Sequence, residues 1–141
     1  MLKKAELNKI VESIKTAEGE TSVEIRVCVV HRCKIDPYEA ALRKFYEYKM
    51  DKTALRNGVL IYVAPKNKKA AIMGDVGIDA VVSEGFWDEA LEDMLKSFAK
   101  DELCEGICRG VSMVGEMIQD KFPIAEDDIN ELSDEVIIDE E

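Results

Sequence analysis

The chain has 141 residues, of which 47% are hydrophobic and 35% are charged. This length matches one domain of common size, and the apolar content suffices for a single core. The formal net charge of −11 argues against nucleic acid and against anionic membrane surfaces, because both need a basic footprint. The apolar runs are far shorter than a membrane span, and the first residues lack the apolar stretch of a signal peptide. We therefore expect a cytoplasmic protein with no nucleic-acid or membrane partner.

The negative charge is concentrated at the C-terminus. Residues 125–141 contain nine acidic and no basic residues, which leaves residues 1–124 with a net charge of only −2. We therefore divide the chain into a folded domain, residues 1–124, and an acidic, flexible tail, residues 125–141. The tail also holds apolar residues at Leu132 and at 136–138. These leave a second interpretation open, in which the tail docks onto its own domain or onto a protein partner by strand addition.

The first half of the chain predicts a helix, a strand and a second helix. Apolar residues repeat with helical spacing over residues 7–14, and Gly19 ends that helix. Residues 21–30 then alternate between apolar and polar side chains, as in a strand. The dipeptide Asp36-Pro37 is typical of a helix start, with Asp as the N-cap and Pro in the first turn.

The second half predicts two strands and two helices. Residues 59–64 are continuously apolar, as expected of a strand covered on both faces, and residues 70–74 form a second strand that pairs with it as a hairpin. Apolar residues then follow helical spacing over residues 87–98 and 103–118. Glycines along the last helix predict a close approach to the sheet. The order of elements predicts an α/β fold, a three-layer α/β/α sandwich with a mixed central sheet of about four strands.

An acidic loop is the main candidate for a functional site. Asp75, Asp79 and Glu84 lie between a predicted strand and a predicted helix, and two glycines in this loop allow the backbone to fold around an ion. Ca²⁺ takes six to eight oxygen ligands, and Asn57 would add an amide oxygen if its loop lies beside Asp75. The structural interpretation stays open, because Asn57-Gly58 is also a turn signal and acidic loop residues also cap helices or face solvent.

Other reactive side chains do not form a recognisable motif. His31 is the single histidine, and the sequence places no nucleophile and orienting acid beside it. The four cysteines, at 28, 33, 104 and 108, lack the paired spacing of a zinc site, and we expect them to be free thiols. Dinucleotide, P-loop and zinc-protease motifs do not occur in the sequence. The residues alone therefore assign no catalytic group.

Several segments together resemble one known family. Residues 57–66 (NGVLIYVAPK), 71–79 (AIMGDVGID) and 84–87 (EGFW) resemble the TPM domain family, which is named after a thylakoid lumen protein, a photosystem II repair protein and a modulator of a levamisole receptor. The end of the chain, residues 128–135 (DINELSDE), is similar to the tail of small bacterial members. The resemblance implies an α/β/α sandwich with a cleft at the strand ends that binds a divalent metal, often calcium.

The resemblance also bears on the site residues. It places the family's glycine and acid pattern at Gly74, Gly77 and Glu84, where Glu replaces the usual Asp, and its asparagine at Asn57. Some plant members are described as acid phosphatases. Two features differ from the family pattern, because this sequence shows no secretion or anchor segment and no clear match to the acid usually found at the start of the domain.

The resulting prediction is a divalent-metal-binding interaction module without established catalysis. Its predicted metal ligands are Asn57, Asp75, Asp79 and Glu84, and its predicted cofactor is Ca²⁺, which the pattern does not separate from Mg²⁺. One alternative is a metal-dependent acid phosphatase that acts on small phosphoesters. Another is a structural domain whose acidic tail captures a protein partner.

Overall fold

The computed structural model describes residues 2–124 and 130–139. In chain order, the helices are α1 (Lys4–Glu18), α2 (Pro37–Glu47), α3 (Val76–Asp79), α4 (Asp88–Ala99) and α5 (Leu103–Ile118). The strands are β1 (Glu24–Val30), β2 (Gly58–Ala64), β3 (Lys69–Gly74) and β4 (Ile137–Asp139). Among the described residues, no helix is both long and apolar enough to cross a membrane.

The strands form one mixed sheet in the order β3-β2-β1-β4. Strand β1 runs parallel to both β2 and β4, and β3 runs antiparallel to β2. The predicted hairpin is confirmed, with a short 3₁₀ turn, Pro65–Asn67, between its two strands. Every residue of β2 is buried, as its continuous apolar run predicts for a strand covered on both faces.

Helices cover the two faces of the sheet unequally. Alternate residues of β2 point to opposite faces, so that Ile61 joins the core beneath α1, α4 and α5 while Tyr62 joins the core beneath α2. Phe45 fills the second core from α2, and Met94 fills the first from α4. The three-layer α/β/α sandwich with four strands is therefore confirmed.

The glycines of α5 serve helix packing. A Cβ at Gly106 would lie 2.7 Å from Cβ of Ser97 on α4, and a Cβ at Gly115 would lie 3.0 Å from Cβ of Ala17 on α1. Only a hydrogen at these positions lets the helices approach so closely. The expectation that these glycines face the sheet was wrong, because helical spacing places them on the sides of α5 that meet its neighbouring helices.

Part of the predicted tail packs against the chain's own sheet. Residues 137–139 form β4, and Cys28, Val29 and Val30 of β1 pair with them in register. These three residues thus add to the chain's own sheet as a strand, which is one of the interpretations left open for the tail. The domain division at residue 124 and the flexibility of the tail stay predictions, and residues 125–129 and 140–141 lie outside the described residues.

Candidate functional site

The loop after β3 is organised by an ion pair between Arg56 and Asp75. Arg56 donates from Nε to Asp75 Oδ2 and from Nη2 to Asp75 Oδ1, both at 2.7 Å. The same carboxylate accepts the backbone N–H of Val76 at 2.8 Å and caps the short helix α3. The Asp75 side chain is only 2% exposed, whereas that of Arg56 is 39% exposed. The guanidinium therefore compensates the charge of the buried Asp75 carboxylate.

Gly77 brings α3 against the chain that precedes β2. Its N–H donates to the carbonyl of Arg56 at 3.0 Å. A Cβ at this position would clash with the carbonyl oxygens of Leu55 and Arg56. The loop therefore uses Gly77 for close backbone approach, and this contact fixes where Asp79, two residues later, can lie.

Asn57 joins the beginnings of β1 and β2. Its backbone N–H donates to the Thr53 hydroxyl at 3.2 Å, and its Nδ2 donates to the carbonyl of Ser22 at 2.7 Å. The residue is 3% exposed, and its Oδ1 has no hydrogen-bond partner among the described residues. These contacts give Asn57 a structural role in linking two loops. It does not lie among the residues that line the cleft described next.

A cleft of about 580 Å³ runs along the outer side of β3. Its floor is formed by residues 70–74, one wall by the start of α2, and the other wall by the segment that enters α4. Its lining includes four carboxylates, those of Asp36, Asp79, Glu84 and Asp88, and no Lys, Arg or His. All four acids belong to exposed residues. The cleft is therefore a strongly negative surface on a nearly neutral domain.

Two residues of the cleft, Asp79 and Tyr38, have raised pKa values. Burial, followed by the nearby charge of Asp75, raises the pKa of Asp79 above its ordinary value. Burial and the charge of Asp79 likewise raise the pKa of Tyr38, which lines the opposite wall. Both shifts report a site where negative charge is disfavoured, and a bound cation would lower that electrostatic cost.

The structure thus brings two of the four predicted ligands, Asp79 and Glu84, to one cleft. Asp75 lies just outside the lining of the cleft, with its carboxylate bound by Arg56. Asn57 also lies outside the lining, in the loop that precedes β2. Sequence reasoning missed Asp36 and Asp88 as cleft residues, because both have the sequence signature of a helix start. The available signal was that each of these acids stands at a helix start that follows a strand, Asp36 after β1 and Asp88 after β3.

The remaining reactive side chains do not assemble a second centre. Nε2 of His31 lies 3.2 Å from Nζ of Lys66, without a nucleophile in hydrogen-bond contact. The four cysteines are free, and burial raises the pKa of Cys28 to about 12, so its thiol stays protonated. Within residues 2–124 and 130–139, no group of three His, Cys, Asp or Glu side chains is placed to hold a metal ion.

Comparison with known proteins identifies the family. The family model described as TPM domain matches residues 1–117. The chain belongs to the TPM domain family. No curated protein matches this TPM domain chain. The solved structure of the BA42 protein from the psychrophilic bacterium Bizionia argentinensis is similar to it, with 38% identity and a TM-score of 0.90, over 98% of this chain and 95% of that one.

Two more distant structures share the fold of this TPM domain. The N-terminal domain of the cg2496 protein from Corynebacterium glutamicum is 13% identical with a TM-score of 0.65, over 82% of this chain and 73% of that one. The N-terminal domain of a protein from P. gingivalis is 15% identical with a TM-score of 0.70, over 86% of this chain and 78% of that one. At such low identity the likeness establishes the fold alone.

Proposed function

We propose that this TPM domain is an interaction module that binds a divalent cation in the cleft beside β3. The observation that carries the proposal is the lining of the cleft, which includes four exposed carboxylates and no basic side chain. Asp79 and Glu84 are the two predicted ligands that reach this cleft. Carboxylate oxygens are the ligands that Ca²⁺ and Mg²⁺ prefer, which makes this lining suited to either ion.

The electrostatics support a cation next to Asp79. Partial burial and, after it, the charge of Asp75 raise the pKa of Asp79, and a cation bound to Asp79 would stabilise its ionised form. Asp75 lies behind the site and is not assigned as a ligand, since Arg56 already occupies both of its oxygens. Water and backbone carbonyls would complete the coordination shell, so we expect weak binding, with a dissociation constant of about 10⁻⁴–10⁻³ M.

A calorimetric titration with CaCl₂ and with MgCl₂ tests the proposal. We expect heat from one site, and a rise in melting temperature that reflects about 2.7 kcal/mol of stabilisation at one hundred times the dissociation constant. Asp79→Asn should weaken binding at least tenfold. Glu116→Gln, which removes an exposed carboxylate on α5, is the matched control and should leave binding unchanged.

Two outcomes would overturn the cation site. One is the absence of any heat or thermal shift at 10 mM of either ion. The other is an equal loss of affinity in the Asp79 and Glu116 variants, which would reduce the effect to general charge screening. Binding should also weaken as pH falls, because the raised pKa of Asp79 makes this ligand take up its proton earlier than an ordinary Asp.

Phosphoester hydrolysis is the alternative that the sequence raised for this family. The cleft lining provides Ser83 as a hydroxyl, and no Lys, Arg or His to bind a phosphate. A phosphatase built on this cleft would therefore depend on the same divalent cation to bind the phosphate and stabilise its charge. An assay with a chromogenic phosphoester at pH 4–8, with and without metal, tests this alternative. Activity that survives Asp79→Asn would point to another site or to a contaminant.

A partner at the acidic tail is a separate proposal. Leu132 has its N–H bonded to Oε1 of Glu24 at 2.7 Å, and Arg26 donates to the carbonyl of Glu135 at 3.3 Å, so residues 130–139 lie against the chain's own domain. A partner that used this segment would have to bind its outer side or displace it. A pull-down with the full chain and with a chain ending at residue 129 would compare the two forms.

A further inference from the structure

The floor of the cleft is the open edge of the sheet. Strand β3 is the first strand in the order β3-β2-β1-β4, so only one of its sides is paired. The five residues 70–74 line the cleft together. An unpaired strand edge inside a cleft can accept a further strand through main-chain hydrogen bonds.

The register of the hairpin identifies which backbone groups face the cleft. The N–H of Asp75 donates to the carbonyl of Gly58 at 2.9 Å, which makes these two residues a hydrogen-bonded pair. Hydrogen-bonded and non-hydrogen-bonded pairs alternate along an antiparallel ladder. The N–H and C=O groups of Ala70, Ile72 and Gly74 therefore point away from β2 and into the cleft. They make no hydrogen bond to any other described residue.

The walls of the cleft determine the chemistry of an added strand. Its alternate side chains would point toward the start of α2 on one face of the sheet and toward the segment entering α4 on the other. Carboxylates stand on both walls, with Asp36 on the first and Glu84 and Asp88 on the second. Apolar side chains, including Tyr38 and Leu91, lie between them. Lysine or arginine side chains with apolar neighbours complement this lining.

We propose that the β3 edge binds an extended, basic segment of a partner protein, which adds to the sheet as a fifth strand. The main-chain groups of Ala70, Ile72 and Gly74 supply the hydrogen bonds, and the wall carboxylates bind the cationic side chains. This inference goes beyond the cation site, because strand addition needs no metal. A divalent cation at Asp79 and Glu84 would compete with the basic side chains for part of the same charge.

The test uses a defined probe and the full chain. The probe is an acetylated, amidated hexapeptide that alternates lysine and valine, titrated in EDTA into ¹⁵N-labelled protein. We expect slowed hydrogen exchange at the amides of Ala70, Ile72 and Gly74 on binding. The amides of Ala71 and Met73 already pair with β2 and serve as internal controls whose exchange should change little. A peptide with glutamate in place of lysine should fail to bind.

Two controls separate strand addition from simple charge attraction. A fully N-methylated peptide keeps every charge and loses every backbone donor, so it should bind at least tenfold more weakly. The double variant Asp79→Asn, Glu84→Gln should also weaken binding of the ordinary peptide at least tenfold. The matched variant Glu12→Gln, Glu116→Gln, which removes two exposed carboxylates from α1 and α5, should weaken it less than threefold.

Three results would overturn the proposal. The first is equal binding of the N-methylated and ordinary peptides. The second is an equal effect of the two double variants, which would mean unspecific attraction to an acidic protein. The third is a concentration-dependent dimer that protects Ala70, Ile72 and Gly74 without peptide, because a second copy would then occupy the edge. A calcium titration without peptide is independent of all three, so the cation site and the strand site fail separately.

Discussion

At the scale of single residues, Arg56 decides whether the loop after β3 keeps its shape. Its guanidinium compensates the charge of Asp75, which is almost fully buried. We expect Arg56→Gln to lower the urea midpoint, but by less than the loss of one partner from a fully buried pair, because Arg56 is partly exposed. Urea unfolding measures this change. Adding Asp75→Asn should recover part of the loss, and a double variant that is less stable than Arg56→Gln would contradict the ion-pair argument.

Gly77 is the second residue on which the site depends. A Cβ there would meet the backbone of residues 55 and 56, which cannot move aside as a flexible side chain would. We expect Gly77→Ala to cost about 1–3 kcal/mol of folding free energy and to weaken Ca²⁺ binding, because α3 carries Asp79. Gly19→Ala is the control, since Gly19 has right-handed helical φ and ψ and its added Cβ would lie 3.2 Å from the nearest oxygen. A neutral effect at Gly77 would contradict the packing argument.

Sequence reasoning reached this site only in part. The cluster of acids and glycines around Asp75 marked the loop that places Asp79 in the lining of the cleft. The spacing of the acidic residues did not reveal that Arg56 binds Asp75. Many charged residues of this sequence lie beside a turn, and nothing in the sequence distinguishes Arg56 from the others. Arg56 has a left-handed backbone conformation, with φ of 50°, which turns its side chain toward the loop. At a residue other than glycine, the sequence does not indicate this conformation.

At the scale of elements, the long periodic segments were predictable and the short ones were not. The hairpin of β2 and β3 and the helices α1, α2, α4 and α5 follow their apolar patterns. Helix α3 has four residues and β4 has three, and segments this short carry too few turns or alternations to show a period. Helix α4 begins at Asp88, one residue after its apolar pattern starts, and Gly85, with a positive φ of 79°, lies in the turn before it.

The segment before β4 is held by buried acids that respond to pH. Burial, and a hydrogen bond shared with Asp134, raise the pKa of Glu18 from 4.5 to about 9. Burial raises the pKa of Glu24 from 4.5 to about 6, although Glu24 accepts the N–H groups of Glu131 and Leu132. The folded state therefore binds these protons more tightly than the unfolded state.

Stability should consequently fall as pH rises, between about 4.5 and 9 for Glu18 and between about 4.5 and 6 for Glu24. The Glu18→Gln variant carries a side chain that imitates the protonated acid. We expect it to lose less folding stability than the wild type between pH 6.5 and 8.5, as measured by urea unfolding. Glu12→Gln, an exposed change on the same helix, should keep the slope of the wild type. A wild type whose stability rises over this range, or a Glu18 variant with an unchanged slope, would contradict the assignment.

At the scale of the whole molecule, the layers follow from the alternation of β1 and β2, whose side chains supply both cores. The formal net charge of −11 lies mostly in residues 125–141, so like charges repel most strongly where residues 130–139 pack against the domain. We expect the urea midpoint to rise between 20 and 500 mM NaCl, as salt screens this repulsion. Sodium sulfate is unsuitable for this measurement, since it also strengthens apolar burial. A urea midpoint that falls as the NaCl concentration rises would show that attraction between opposite charges outweighs this repulsion.

The parallel pairing of β4 with β1 joins residues that lie far apart in the sequence, Cys28 with Ile137. Contacts between such distant residues cost much chain entropy to form and slow the folding of a sheet. Until β4 docks, one side of β1 exposes unpaired backbone groups. A variant that lacks residues 137–139 would therefore present a further unpaired strand edge, and such edges favour aggregation.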